Sequence, residues 1–173
     1  EWYRCVLQMI KYPYSEEIKI FLIFTNIDQE RTRLERLSDM ATRDSITHLL
    51  NRETTETRIR ERLAEADGRD ICAMFMVDLD NFKQVNDVMG HLTGDATLRD
   101  MAGAISSAFR KDDIVGRVGG DEFMAFLSHG VSRAMVEQKT AALLEAMQFS
   151  VNEISVTASI GVTLSHGGGK SFE

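Results

Sequence analysis

The chain has 173 residues, 43% of them hydrophobic, with one proline and a net charge of −7, enough to bury one medium-sized core with residues to spare. This acidic balance gives no basic footprint for nucleic acid or an anionic membrane surface, so a nucleotide would have to be held by local features. The nearest approach to a membrane span, Ile18 to Phe24, is only strand-sized, and no membrane contact is expected from this chain.

Residues 1–27 form two β-like runs, Trp2 to Ile10 and Glu17 to Ile27, with Pro13 and Ser15 marking the turn between them. A lone hairpin is marginal in water, so these strands predict a larger sheet. From Gln29 to Thr42 the chain turns charged, with Ile27, Leu34 and Ala41 at heptad spacing and Leu37 between them. That stripe fits a short coiled coil between two copies, and equally a solvated linker helix packed on its own domain. The stretch Asp44 to Arg52 opens a second domain. Here Asp44 can pair with Arg52, and Asn51 caps a helix over 52–66 that ends at Asp67-Gly68.

Ile71 to Val77 reads as a strand buried on both faces, closing on Asp78-Leu79-Asp80. Backbone N–H groups from Leu79 to Lys83 then turn into a short helix, a natural seat for phosphates. Asp95, taken alone, reads as the N-cap of a helix over Ala96 to Arg110, whose residues Leu98, Met101, Ala102, Ile105 and Phe109 make a buried face. After the polar loop Arg110-Lys111-Asp112-Asp113, apolar runs flank Gly119-Gly120-Asp121-Glu122 on both sides and predict a β-hairpin with acid at its tip. The two glycines tolerate backbone angles that other residues avoid. Carboxylates at a buried strand's end, near a hairpin carrying more of them, suit Mg²⁺. A helix over Ser132 to Gln148 and a strand over Ile154 to Leu164, interrupted at Gly161, complete the pattern.

Gly119 to Phe123, together with Asp78 to Asp87, Gly90-His91 and Gly94-Asp95, resembles in register the two signatures of the GGDEF family, the diguanylate cyclases that join two GTP into cyclic di-GMP. The resemblance covers about residues 44–165. It implies an α/β (α+β) fold of the ferredoxin-like nucleotide-cyclase palm type, with helices packed on a mainly antiparallel sheet. It implies Mg²⁺ (or Mn²⁺) held by Asp78, the Leu79 carbonyl, Asp121 and Glu122, the last two also catalytic. Phe82, Lys83, Gly119 and Gly120 would meet the substrate, while Asn86 and Asp95 read guanine, whose edge offers a carbonyl acceptor and N–H donors. Arg110 and Asp113 match the family's product-inhibition site for cyclic di-GMP, where a guanidinium fork suits a guanine edge or a phosphate. Each domain would hold one GTP, so the cyclic product implies a homodimer.

Two departures stand out. His48 occupies the family's usual glycine, and the helix that gives a Lys and an Arg to the triphosphate has no match before Glu173, Lys170 not corresponding. Trp2-Tyr3-Arg4 and Thr25-Asn26-Ile27-Asp28 resemble the end of a PAS sensor domain. The expected layout is therefore a PAS-like tail over 1–28, a linker helix over 29–43 and the GGDEF domain over 44–173. Cys5 and Cys72 lack metal-type spacing and read as reduced thiols, which with the absence of a signal-peptide pattern predicts the bacterial cytoplasm. The chain opens without Met, stops abruptly at Gly167 to Glu173, and reads as a piece of a longer protein. The alternative function is a silent module that binds GTP or cyclic di-GMP and signals by dimerisation; a purely structural dimerisation domain would not need this many carboxylates in register.

Overall fold

A computed structural model describes residues 1–11, 18–66 and 70–166. The predicted bend at Pro13 and Ser15, the helix end at Asp67-Gly68 and the segment 167–173 lie outside the described residues, as does the side chain of Leu34. The chain divides into two compact units, Glu1–Ala41 and Thr42–Glu173. Among the described residues no helix is long and apolar enough to cross a membrane.

In the first unit, β1 (Tyr3–Lys11) and β2 (Ile18–Asn26) pair antiparallel, Tyr3 opposite Asn26 and Lys11 opposite Ile18. Helix α1 (Asp28–Thr42) follows at once. Its start is tied back to β1, because Trp2 N donates to Asp28 Oδ1 at 2.7 Å and Arg4 pairs with Glu30 at 3.1 Å. The Arg31 guanidinium lies 4.1 Å from the centre of the Trp2 ring. Alternation puts Leu7, Met9, Ile20, Leu22 and Phe24 on one face of the ribbon, all exposed.

The second unit is built on a five-stranded sheet, antiparallel at every pairing, in the order β4-β5-β3-β7-β6. The central strand is β3 (Ile71–Asp80), flanked by β5 (Glu122–Leu127) and β7 (Ile154–His166), with β4 (Ile114–Arg117) and β6 (Phe149–Val151) at the edges. Between β3 and β4 run α3 (Phe82–Met89) and α4 (His91–Ala108), and between β5 and β6 runs α5 (Arg133–Ala146). The path β3, α3–α4, β4, β5, α5, β7 is the split β-α-β pattern of ferredoxin-like folds, as expected.

Strand alternation sorts the core into two layers. Ala73, Phe75, Val77 and Leu79 of β3 face α3, α4 and α5, joining Val85, Leu98, Ile105 and Leu143. Phe75 meets Phe109 edge-on, with ring centres 5.4 Å apart. Cys72 and Met74 face the other way, onto a smaller cluster with Ile59 of α2 (Arg52–Glu65). That helix begins as predicted, with Asn51 Oδ1 accepting from Thr54 N at 3.0 Å.

Several expectations are corrected. Asp44 does not pair with Arg52: Arg52 reaches Glu56 one turn along its own helix, and Asp44 binds Arg117, both at 3.0 Å. Helix α4 begins at His91 after Gly90, whose φ of +80° breaks it from α3, so Asp95 lies inside the helix and is no cap. Gly161 does not interrupt β7, because it sits in register opposite Met76 and ladder pairing carries the strand through. Neither Gly119 nor Gly120 adopts the left-handed conformation. The short strand β6 went unpredicted. Its turn uses Asn152 (φ 44°) and Glu153 (φ 73°) where a glycine would have signalled it.

Candidate active site

The acidic site forms where β3 and β5 end together. Their register sets Asp78 directly opposite Glu122, and the Leu79 N–H donates to the Asp121 carbonyl at 3.3 Å. Facing positions on an antiparallel pair hold Cβ atoms about 5 Å apart, and like charges there oppose folding. The consequence appears on Asp78: partial desolvation, then the charges of Asp121, Glu122 and Asp80, raise its carboxyl above the usual range. Asp80 shares the β3 end but is committed elsewhere, accepting from Thr157 Oγ1 at 2.6 Å and Ser159 Oγ at 2.8 Å of β7. Asn81 follows in a left-handed conformation (φ 64°) and donates from Nδ2 to the Ser155 carbonyl at 3.0 Å.

The hairpin tip is closed from within and braced from behind. Val118 N and Gly119 N donate to the Glu122 carbonyl at 2.9 and 3.3 Å. A Cβ on Gly119 would collide with the Glu122 carboxylate, so this glycine makes room for that side chain, whereas Gly120 faces open space. Arg117, unremarked in the sequence reading, braces the tip. Its Nε donates to the carbonyls of Gly119 and Gly120 at 3.1 Å each, and Nη2 to Gly120 at 2.7 Å. Its remaining arm, Nη1, binds Asp44 Oδ1 at 3.0 Å, the pair being largely buried at 11% and 22% side-chain exposure. Asp44 is itself held by Thr47, whose N and Oγ1 donate at 2.8 and 2.7 Å. The opening motif of the second domain thus reaches the acidic tip through one guanidinium. No local signal could have found this pair, because the partner lies 73 residues upstream.

The remaining predicted residues divide between α3 and α4. Phe82 buries its ring in the core, leaving only its backbone to a ligand, while Lys83 is exposed. Asn86 and Asp95 are half-buried, and neither side chain makes a hydrogen bond among the described residues. Gly94, next to Asp95, is buried against the Asn86 carboxamide.

Arg110 and Asp113 come together at the other end of β4 from the acidic tip. Arg110 N donates to Asp113 Oδ2 at 2.8 Å, and Asp113 N to the Arg110 carbonyl at 3.0 Å. Both line a cavity of about 380 Å³ with Arg43, Arg58 and Phe109. A neighbouring cavity of about 460 Å³ shares Arg58, Lys111 and Asp113 and adds Arg62 together with the acidic Glu61, Glu65 and Asp112. These bases on α2 carried no sequence signal, because helical charges usually mark only a solvated face.

Among the described residues no group of three His, Cys, Asp or Glu side chains forms a ready metal cage. The donor set still fits Mg²⁺. It is all oxygen, its like charges oppose one another in register, and Mg²⁺ keeps waters and substrate phosphates as ligands beside one or two carboxylates.

Comparison with known proteins shows the family and the fold. The family model described as diguanylate cyclase, GGDEF domain, matches residues 41–173. The cyclic di-GMP phosphodiesterase PdeR of Escherichia coli is 38% identical over 157 residues, covering 87% of this chain and 23% of that protein. The diguanylate cyclase TpbB of Pseudomonas aeruginosa is 34% identical over 134 residues, covering 74% of this chain and 31% of its own length. The chain therefore spans less than a third of either curated relative. Among solved structures, diguanylate cyclase SiaD of Pseudomonas aeruginosa, crystallised with its activator SiaC, superposes with a TM-score of 0.66 at 32% identity, covering 82% of this chain and 56% of that one.

Proposed function

The chain belongs to the GGDEF diguanylate cyclase family, and we propose that it condenses two GTP into cyclic di-GMP, releasing two pyrophosphates, as a Mg²⁺-dependent homodimer. The observation that carries this reading is the junction of β3 and β5, where Asp78, Leu79, Asp121 and Glu122 meet at one edge. Each half-reaction forms a bond from a ribose 3′-oxygen to the α-phosphorus of the other GTP and breaks that phosphorus's bond to the pyrophosphate. Asn86 and Asp95 hold guanine, and backbone N–H groups at the start of α3 meet the phosphates. Glu122 takes the 3′-hydroxyl proton, while Asp78, Asp121 and the Leu79 carbonyl hold Mg²⁺. That ion supplies charge neutralisation at the phosphate oxygens. Arg117 keeps the tip rigid, so the acidic groups need no reorganisation on binding.

Arg110 and Asp113, with the Arg58 side of their cavity, form a brake that takes cyclic di-GMP. Residues 1–28 are the C-terminal strands of a PAS-like sensor, α1 relays its state, and the protein works in a bacterial cytoplasm. A second reading has one specific support: PdeR, at 38% identity, is named for the opposite activity. On that reading the domain binds GTP or cyclic di-GMP without turnover and signals through a dimer.

The deciding experiment incubates the chain, and a form extended beyond Glu173, with GTP and Mg²⁺ and follows cyclic di-GMP by mass spectrometry. Product that disappears in Asp121→Ala supports the cyclase. GTP binding and dimerisation with no product from either form supports the silent module.

A further inference from the structure

We propose that Gly94 sets guanine recognition by leaving the space in which the Asn86 carboxamide lies; this deepens, and rests on, the reading of Asn86 and Asp95 as the guanine contacts. A Cβ on Gly94 would overlap Asn86 Oδ1 and stand 2.9 Å from Asn86 Cγ, and the three nearest heavy atoms it would meet all belong to that one carboxamide. The glycine is buried in the first turn of α4, where its N–H donates to the Gly90 carbonyl at 3.2 Å, and its φ is ordinary for a helix. Backbone freedom therefore does not explain it. A glycine in a helix interior costs stability relative to alanine, so the position gives up stability for clearance.

The group that would have to move is the far end of a flexible side chain. An alanine at 94 therefore turns the amide aside and leaves the fold intact. The amide makes no hydrogen bond among the described residues that would resist this motion. Asp95 is the next residue on the same turn, so a shift of Asn86 breaks the spacing between the two groups that together match a guanine edge. Gly103 provides an internal control, because it lies in the same helix with nothing within 4 Å of its Cβ position.

The test compares Gly94→Ala, Gly103→Ala and Asn86→Ala. In the ligand-free chain, the side-chain amide NMR signals of Asn86 are expected to move in Gly94→Ala and stay in Gly103→Ala, with no melting temperature below that of the parent. Signals that stay put in Gly94→Ala overturn the proposal whatever the ligand. By equilibrium binding, Gly94→Ala is expected to weaken GTP about tenfold and to narrow the preference for GTP over ATP by the same factor, the loss of about one hydrogen bond. Asn86→Ala should do the same, and the double variant should be no worse than either single one. If Asn86→Ala loses GTP and Gly94→Ala does not, the role of Gly94 falls alone. If Asn86→Ala leaves the GTP-to-ATP preference unchanged, the guanine reading falls and takes this inference with it.

Discussion

At the scale of single residues, the chain carries costs that its fold does not relieve. The Asp78 carboxyl is raised by desolvation and by the charges of Asp121, Glu122 and Asp80. A raised folded-state pKa means that the unfolded chain gives up this proton first. The cost of ionised Asp78 therefore appears as pH rises through the ordinary carboxylate range and is complete above the raised value. Asp78→Asn is accordingly expected to raise the melting temperature at pH 7 in divalent-free buffer and to change it little near pH 3, with added Mg²⁺ closing the gap; a lower melting point at pH 7 would refute this. His48 is a second such residue. It is exposed and held at φ 58°, which explains why glycine is usual there. His48→Gly should stabilise the chain by about 1 kcal/mol in urea unfolding. The sequence showed that His48 departed from pattern, but only the backbone dihedral shows the cost.

Between elements, the Asp44–Arg117 link matters most. Burial alone would raise the Asp44 carboxyl, but hydrogen bonds from the Thr47 backbone and hydroxyl and from Arg117, with the Arg117 charge, leave it below the usual range. A depressed folded-state pKa gives stability that is present above the ordinary carboxylate pKa and lost as pH falls through the depressed one. Asp44→Asn should therefore lower the melting temperature at pH 7, with the deficit shrinking as pH falls through that window. A deficit independent of pH would mean that the charge is not what holds the turn. The helices and the central hairpin were legible because their signals are local: Asn51 before α2, the unbroken apolar run of β3, glycines between β4 and β5. Asp44's partner was not, because Arg52 is near in sequence while Arg117 is near only after β4 has folded beside Leu50, whose N–H donates to the Val115 carbonyl and whose carbonyl accepts from Arg117 N.

For the whole molecule, the proposed cyclase reaction requires two GTP-loaded domains to meet. On the heptad reading of Ile27, Leu34, Leu37 and Ala41, helix α1 would pair two copies, and its Leu37 is 53% exposed. If α1 pairs two copies, turnover per chain should fall on dilution, and Leu37→Glu should shift that fall to higher protein concentration while leaving GTP affinity unchanged. An activity per chain independent of concentration and of Leu37 would place the dimer contact elsewhere. By itself the sequence determined the α+β class, the antiparallel hairpin with acid at its tip, and the family. The hairpin rests on apolar runs and turn residues, and the class and family on two motifs in register, all written within short windows. Tertiary structure alone decided that Asp78 faces Glu122, that Arg117 joins the tip to Asp44, and that Gly94 clears space for Asn86. Strand register and helix crossing are set by packing over the whole core, and no local window of residues contains that information.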